Sequence, residues 1–274
     1  MSTFYNSERL KYNQMNYNND VELDNFCSQC LLVINAVGPS FKINDKIALH
    51  ALRNNCHYID IGGYGILRDL LKPYEKSIEA QKLCFIIGVG WMPGISGVFS
   101  KTIIETHLNS PENTNFNIYY GAVDNWSYSS TYDLAASSMG KTRSYVYSHG
   151  KEIQVSPFRY THHKFFPFIG HKKICMPSFD EQLTQLATSL KQIRKISTFI
   201  MLNDYISMGK FMFIKIFYKH NLNKATLMLQ DDYQRLVKKE NKWGSVICQV
   251  SKIEPERKID TFLIVSAKRY HHSA

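Results

Sequence analysis

The chain has 274 residues, 44% of them apolar and 20% charged, enough for a sizeable core and too apolar for wholesale disorder. Its net charge of +10 is uneven: residues 1–137 carry 10 Lys+Arg against 13 Asp+Glu, a balance of −3, and residues 138–274 carry 23 against 10, a balance of +13. No stretch approaches the roughly 18 uninterrupted apolar residues of a membrane span, the polar start lacks the apolar centre of a signal peptide, and six cysteines without a dense framework suit a cytoplasmic protein.

In chain order, residues 13–20 offer a short strand or a tail. Asp20 is placed to cap a helix from Val21 to Cys30, with Leu23 and Phe26 on its buried side. Leu31 to Phe41 then organises the first half. Its apolar run ends at Asn35, Gly38 and Pro39, which predicts a strand buried on both faces that stops abruptly. Ligands of open α/β sheets sit at the carboxyl ends of strands, so Asn35 to Pro39 is the first candidate site.

A helix is expected over Asn44 to Asn54, with Ile43, Ile47, Ala48, Ala51 and Leu52 as its apolar stripe. His57 to Gly63 reads as a second strand, closing on two glycines. Residues 66–81 read as a helix broken near Pro73, and Leu83 to Val89 as a third strand. The turn Gly88 to Gly97 follows, with Pro93 suited to the first turn of the next helix. Strands alternating with helices over short links predict parallel βαβ units. Their strand ends, Asn35–Pro39, Asp60–Gly63 and Gly88–Gly94, are then expected on one edge.

The pattern changes near residue 110. Asn115 to Val123 alternates as a strand, and residues 130–140 are helical in composition. Thr142 to Ser148 and Lys151 to Val155 flank His149-Gly150 as a hairpin. Residues 158–175 are aromatic, basic and irregular. Asp180 begins a helix with Leu183, Leu186, Ala187, Leu190 and Ile193 in register. Ile196 to Leu202 reads as a strand, residues 208–240 as mostly helical, and Trp243–Ile253 and Lys258–Ala267 as two late antiparallel strands.

Several chemical patterns are incomplete. Cys27 and Cys30 form a C-x-x-C without the second pair a zinc site needs, and they sit at the end of a helix rather than at its N-terminus. His162, His163, His171, His271 and His272 show no helix-borne ligand spacing, so no metal is expected. No phosphate-binding P-loop and no Gly-x-Ser-x-Gly elbow is present. Asp60, at a strand end beside glycines, either orients a ligand or caps the next turn. Nucleic-acid binding is not expected, although aromatic and basic residues interleave over 158–173.

Three stretches together resemble one family. They are Val33 to Pro39 (Val-Ile-Asn-Ala-Val-Gly-Pro), His57 to Gly62 (His-Tyr-Ile-Asp-Ile-Gly) and Gly88 to Ser96 (Gly-Val-Gly-Trp-Met-Pro-Gly-Ile-Ser). In order and spacing they resemble the saccharopine dehydrogenase-like (saccharopine reductase) NAD(P)-dependent oxidoreductases, over about residues 20–270.

The resemblance implies an α/β chain: a partial Rossmann-like parallel sheet over residues 1–108, and an α+β substrate or dimerisation domain with a mainly antiparallel sheet over 109–274. It implies NADP or NAD as cofactor, and hydride transfer at a carbon–nitrogen or carbonyl centre. Asn35, Ala36, Gly38 and Pro39 would line the cofactor's edge, with Asp60 and Gly62 beside it. Gly90, Met92, Pro93 and Gly94 would sit between cofactor and substrate. The basic second domain suits an acidic, carboxylate-bearing small molecule, and a homodimer is allowed. No catalytic acid or base is named.

Three departures qualify the resemblance. The family's opening strand–Gly-x-Gly-x-x-Gly–helix unit, which holds the dinucleotide phosphates on a helix N-terminus, has no counterpart, so a truncated or degenerate member is the alternative. Met92 stands where the family has an acid before Pro-Gly, and the chain stops just after a strand rather than returning in a closing helix. The isolated chain is therefore expected to bind the cofactor weakly or not at all.

Overall fold

A computed structural model describes residues 10–62, 65–107, 114–139, 144–167, 169–178, 185–187 and 193–252. The chain divides into two compact units. The first comprises residues up to Val37 together with Ile43–Val89, and the second Gly38–Lys42 together with Gly90 onward. The sequence suggested a single boundary at 108/109. The contacts instead divide the chain at 37/38, 42/43 and 89/90.

The first unit opens with α1 (Asp20–Cys27). Its N-cap is Asn19, whose side chain accepts the amides of Val21 and Glu22, while Asp20, expected as the cap, lies in the first turn. Either residue type favours a helix start, and Asn19 holds the extended backbone a cap needs. Strands β1 (Leu32–Asn35), β2 (His57–Asp60) and β3 (Phe85–Ile87) form a parallel sheet in the order β1-β2-β3, with Asn35 opposite Asp60 and Asp60 opposite Ile87. The helix expected over Asn44–Asn54 is α3 (Lys46–Arg53), and a separate four-residue helix, α2 (Ser40–Ile43), precedes it. Asn44 between them adopts φ +51°, a left-handed conformation that keeps the two apart.

The stripe Ile43, Ile47, Ala48, Ala51 and Leu52 is buried as expected. After β2 come α4 (Gly65–Leu71), a 3-10 turn at Lys72–Tyr74 carrying Pro73, and α5 (Glu75–Ala80). Leu23, Val33, Ile47, Ala51, Tyr58, Leu67 and Leu71 make the core of this unit.

One expectation about the sheet is corrected. β1 is not buried on both faces: Val33 and Asn35 are covered, but Leu32 and Ile34 are exposed, Ile34 by 61%. Ile86 on β3 is exposed as well. A continuous apolar run does not distinguish a strand sandwiched between helices from one covered on a single face.

The second unit carries α6 (Ile95–His107), β4 (Thr114–Val123), α7 (Tyr128–Met139) and the hairpin β5 (Tyr145–Ser148)–β6 (Lys151–Gln154). It continues with α8 (Pro157–Tyr160), β7 (His162–Phe166), β8 (His171–Ser178), β9 (Lys195–Leu202), α9 (Tyr205–Phe217), α10 (Leu222–Lys239) and β10 (Trp243–Lys252). Residues 158–175, expected to be irregular, include the antiparallel pair β7–β8. Alternating exposure in β7 is the signal that its basic and aromatic composition masked.

Six of these strands join β9, directly or in series, in a seven-stranded sheet in which β4–β9 is parallel and the other described pairs are antiparallel. Phe116, Ile118, Ile196 and Val246 pack with Phe99, Ile103 and Ile104 of α6; Tyr119, Phe199 and Ile247 belong to a separate cluster. A third cluster joins Ala135, Phe211, Ile214, Ala225 and Leu229 of α7, α9 and α10 with strand residues. Most of the helix expected after Asp180, and the strand expected at Lys258–Ala267, lie outside the described residues; 185–187 are helical. Among the described residues no helix is long and apolar enough to cross a membrane.

Candidate functional site

In the first unit the strand ends bring two candidate residues into direct contact. Asn35 and Asp60 are register partners at the ends of β1 and β2, and both are buried on the sheet face that Val33 and Tyr58 share. Alternation along a strand forces this: residues two apart point the same way. Asp60 Oδ2 accepts the Tyr58 hydroxyl at 2.6 Å and the Asn35 amide Nδ2 at 2.7 Å. Asn35 Nδ2 also reaches the Tyr58 oxygen at 3.0 Å, and Asn35 Oδ1 accepts the Val37 amide at 3.0 Å.

Burial, followed by the hydrogen bond to Asp60, pushes the Tyr58 phenol upward, so it stays protonated and donating. Tyr58 is the residue that motif reading missed; its position two before Asp60 was the available signal. Main-chain bonds fix the same edge: Ile61 N–H to Asn35 O at 3.2 Å, and Val89 N–H to Asp60 O at 3.0 Å. The arrangement locks adjacent strand ends through a buried polar triad. Ala36 and Gly62 follow the two strands as non-helical backbone.

The other candidates belong to the second unit. Gly38 lies against α7: a Cβ built on it would stand 2.9 Å from Ser129 Cβ. After Pro39, the amides of Ser40 and Phe41 donate to the Asp133 carboxylate at 2.9 and 3.2 Å. These are the first amides of a four-residue helix, the groups that elsewhere cradle a phosphate; here the chain's own carboxylate holds them. The Ser/Ala-rich sequence of α7 gave no sign of that role for Asp133.

Residues 90–94 form a self-closing turn. Gly90 N–H donates to Pro93 O at 3.1 Å, and Ile95 N–H to Gly90 O at 3.0 Å. Pro93 was expected in the first helical turn. It lies two residues ahead of α6, and Gly94 takes φ +126°, a conformation that suits glycine. Met92 and Trp91 pack against the core of their own unit. The Trp91 ring lies 2.7 Å from where a Cβ on Gly244 would stand, so β10 accommodates the ring only because residue 244 lacks a side chain.

The cysteines form no paired motif. The Cys56 thiol donates to the carbonyls of Cys27 and Cys30, both at 3.0 Å, and burial raises Cys27 to about 11. Among the described residues no group of three or more His, Cys, Asp or Glu side chains is placed to hold a metal.

A parallel sheet ending in a shared polar edge, followed by a mostly antiparallel sheet with helices, has a counterpart among solved structures. Apo saccharopine dehydrogenase (L-Glu forming) from Saccharomyces cerevisiae matches with a TM-score of 0.57 at 14% identity, over 93% of this chain and 75% of that one. The chain has a dehydrogenase-like fold. A dehydrogenase (MviM) from Clostridium difficile matches over 90% of this chain and 66% of that one, at 9% identity and a TM-score of 0.35. No protein-family model and no curated protein matches the sequence. At 14% identity the likeness is one of fold.

The described residues fit a nicotinamide dinucleotide in part. The ends of β1 and β2 offer the rigid carboxyl edge on which such a group is carried in open sheets. In the second unit the Ser40, Phe41, Gly90 and Ile95 amides are all engaged within the chain and are closed to a phosphate.

Proposed function

We propose that the chain is an oxidoreductase of the saccharopine dehydrogenase-like type, acting with NADP or NAD at a carbon–nitrogen or carbonyl centre of a carboxylate-bearing small molecule. The observation that carries the reading is the Asn35–Tyr58–Asp60 triad, which fixes the carboxyl edge of a parallel sheet in a dehydrogenase-like fold. Within the first unit the reading assigns Asn35, Ala36, Asp60 and Gly62 to the cofactor; its other residues, Gly38, Pro39, Gly90, Met92, Pro93 and Gly94, belong to the second unit. When bound, the nicotinamide supplies the hydride chemistry; the protein's part is to hold and orient it. The triad does so indirectly, by keeping the backbone at 35–37 and 60–62 in one conformation. The +13 balance of residues 138–274 favours an acidic substrate.

A second reading is favoured by Asp133. Because its carboxylate occupies the Ser40 and Phe41 amides after Pro39, that helix start is closed to a phosphate, which suits a family member that depends on a separate chain for the phosphates or serves as an interaction module. Nicotinamide-fluorescence titration of NADPH and NADH into wild type and Asn35→Ala separates the two. Weak but saturable binding that the substitution abolishes supports the oxidoreductase. Absence of binding to wild type at millimolar cofactor supports the second reading.

A further inference from the structure

Helix α9 has an outer face of aromatic, aliphatic and glycine residues, on which the one polar group, the Tyr205 hydroxyl, is held by His163 Nε2 at 2.8 Å. At 100° per residue, Tyr205, Ile206, Gly209, Phe213, Ile216 and Phe217 fall within about 120° of arc, and all six are exposed, Tyr205 by 64% and Ile216 and Phe217 by 65% each. The opposite side is committed to the core through Ser207, Phe211 and Ile214. Ile206, Gly209, Phe213 and Ile216 follow the i, i+3, i+7, i+10 spacing of a helix-pairing seam. Monomeric proteins seldom leave so continuous an apolar strip in water.

We infer that this face is a two-fold interface with the α9 helix of a second copy of the chain. Three observations select that occupant. First, Gly209 opens the middle of the strip: a Cβ built there meets nothing within 4 Å, so another backbone can approach closely. Second, two cations beside the strip, Lys210 and Arg235, are already neutralised. Lys210 pairs with Asp231 at 3.0 Å and Asp232 at 3.3 Å, and Arg235 with Asp204 at 2.7 Å and Asp232 at 2.8 Å. On the side of Lys210 and Arg235 an anionic membrane surface meets paired cations and the exposed Asp231. An uncharged strip is instead complementary to itself, as a two-fold contact requires.

Third, the area is adequate. A wholly bared aromatic side chain presents about 150–250 Å², so the five side chains at their observed exposures offer roughly 500–650 Å² per copy. Pairing two copies removes roughly 1,000–1,300 Å², within the range of specific interfaces.

Sedimentation equilibrium of the full 274-residue chain tests the assignment. Wild type is expected to associate to a dimer in the micromolar range. Gly209→Arg adds bulk only into open space, so the fold survives while close helix approach is blocked. Ile216→Glu sets two like charges across the seam. Each is expected to weaken the dimer at least about tenfold with unchanged far-ultraviolet circular dichroism, whereas Phe158→Ser, at an exposed apolar residue elsewhere, leaves the mass unchanged. A monomeric wild type overturns the inference, and so does a wild type that binds anionic vesicles through this face as a monomer. A dimer indifferent to both substitutions overturns it equally.

Discussion

Tyr58 and Asp60 are two residues apart on one strand, so their side chains must share a face, and the covered face leaves Asp60 only partners the chain itself supplies. A buried carboxylate is costly unless hydrogen-bonded, which makes the Tyr58 hydroxyl more than a packing detail. Tyr58→Phe is expected to destabilise the chain by about 1.5–3 kcal/mol, the range for a hydrogen bond to a charged group, measured by urea denaturation. Asn35→Ala is expected to cost a similar amount.

Asp204 offers a second test, through pH. Burial pushes its carboxyl up, but the Arg235 guanidinium and the Ser207 amide and hydroxyl prevail and hold it down at about 2. A carboxyl depressed in the folded state stabilises fully above its unfolded value near 4, and that contribution is lost as pH falls through about 2. At neutral pH Asp204→Asn, which keeps an oxygen to cap α9 but loses the charge toward Arg235, is expected to be less stable than wild type by about 1 kcal/mol. The gap should close between about pH 4 and pH 2. A gap constant over that range contradicts the assignment.

At the scale of elements, β1 shows both what the sequence disclosed and what it concealed. Its length, direction and abrupt end were legible because an apolar β-forming run meets Asn35, Gly38 and Pro39. Its one-sided burial was not, since Leu32 and Ile34 are as apolar as the covered Val33. Stability measurements on substitutions distinguish the faces. Val33→Ala is expected to cost about 1–3 kcal/mol through lost burial, and Ile34→Thr to stay within about 0.5 kcal/mol. Equal costs would mean that both faces are covered.

The helix stripe from Ile43 to Leu52 was readable from its period, but the left-handed turn at Asn44 that sets Ile43 apart from α3 was not. The hairpin at His149-Gly150 was marked by its turn residues, both at positive φ. The β7–β8 pair had no comparable pattern in its charged and aromatic sequence. Of the strand-end triad, motif order singled out Asn35 and Asp60 but not Tyr58. Asp133 and Gly244 act from elements distant in sequence, and no local pattern announces a partner so far along the chain.

At the scale of the whole molecule, a dehydrogenase-like fold carries a polar strand-end edge on β1 and β2, and the amides of Ser40, Phe41, Gly90 and Ile95 are engaged within the chain. If that edge engages a dinucleotide, it does so chiefly through the nicotinamide half, and the adenosine diphosphate half adds little. The most direct measurement is therefore calorimetric titration of the full chain with reduced nicotinamide mononucleotide and with NADH under the same conditions. The two are expected to bind with dissociation constants of about 0.1–1 mM and within about tenfold of each other, a difference below about 1.4 kcal/mol. A micromolar constant for NADH with the mononucleotide far weaker would contradict the account, because the phosphates would then be held by residues other than those described.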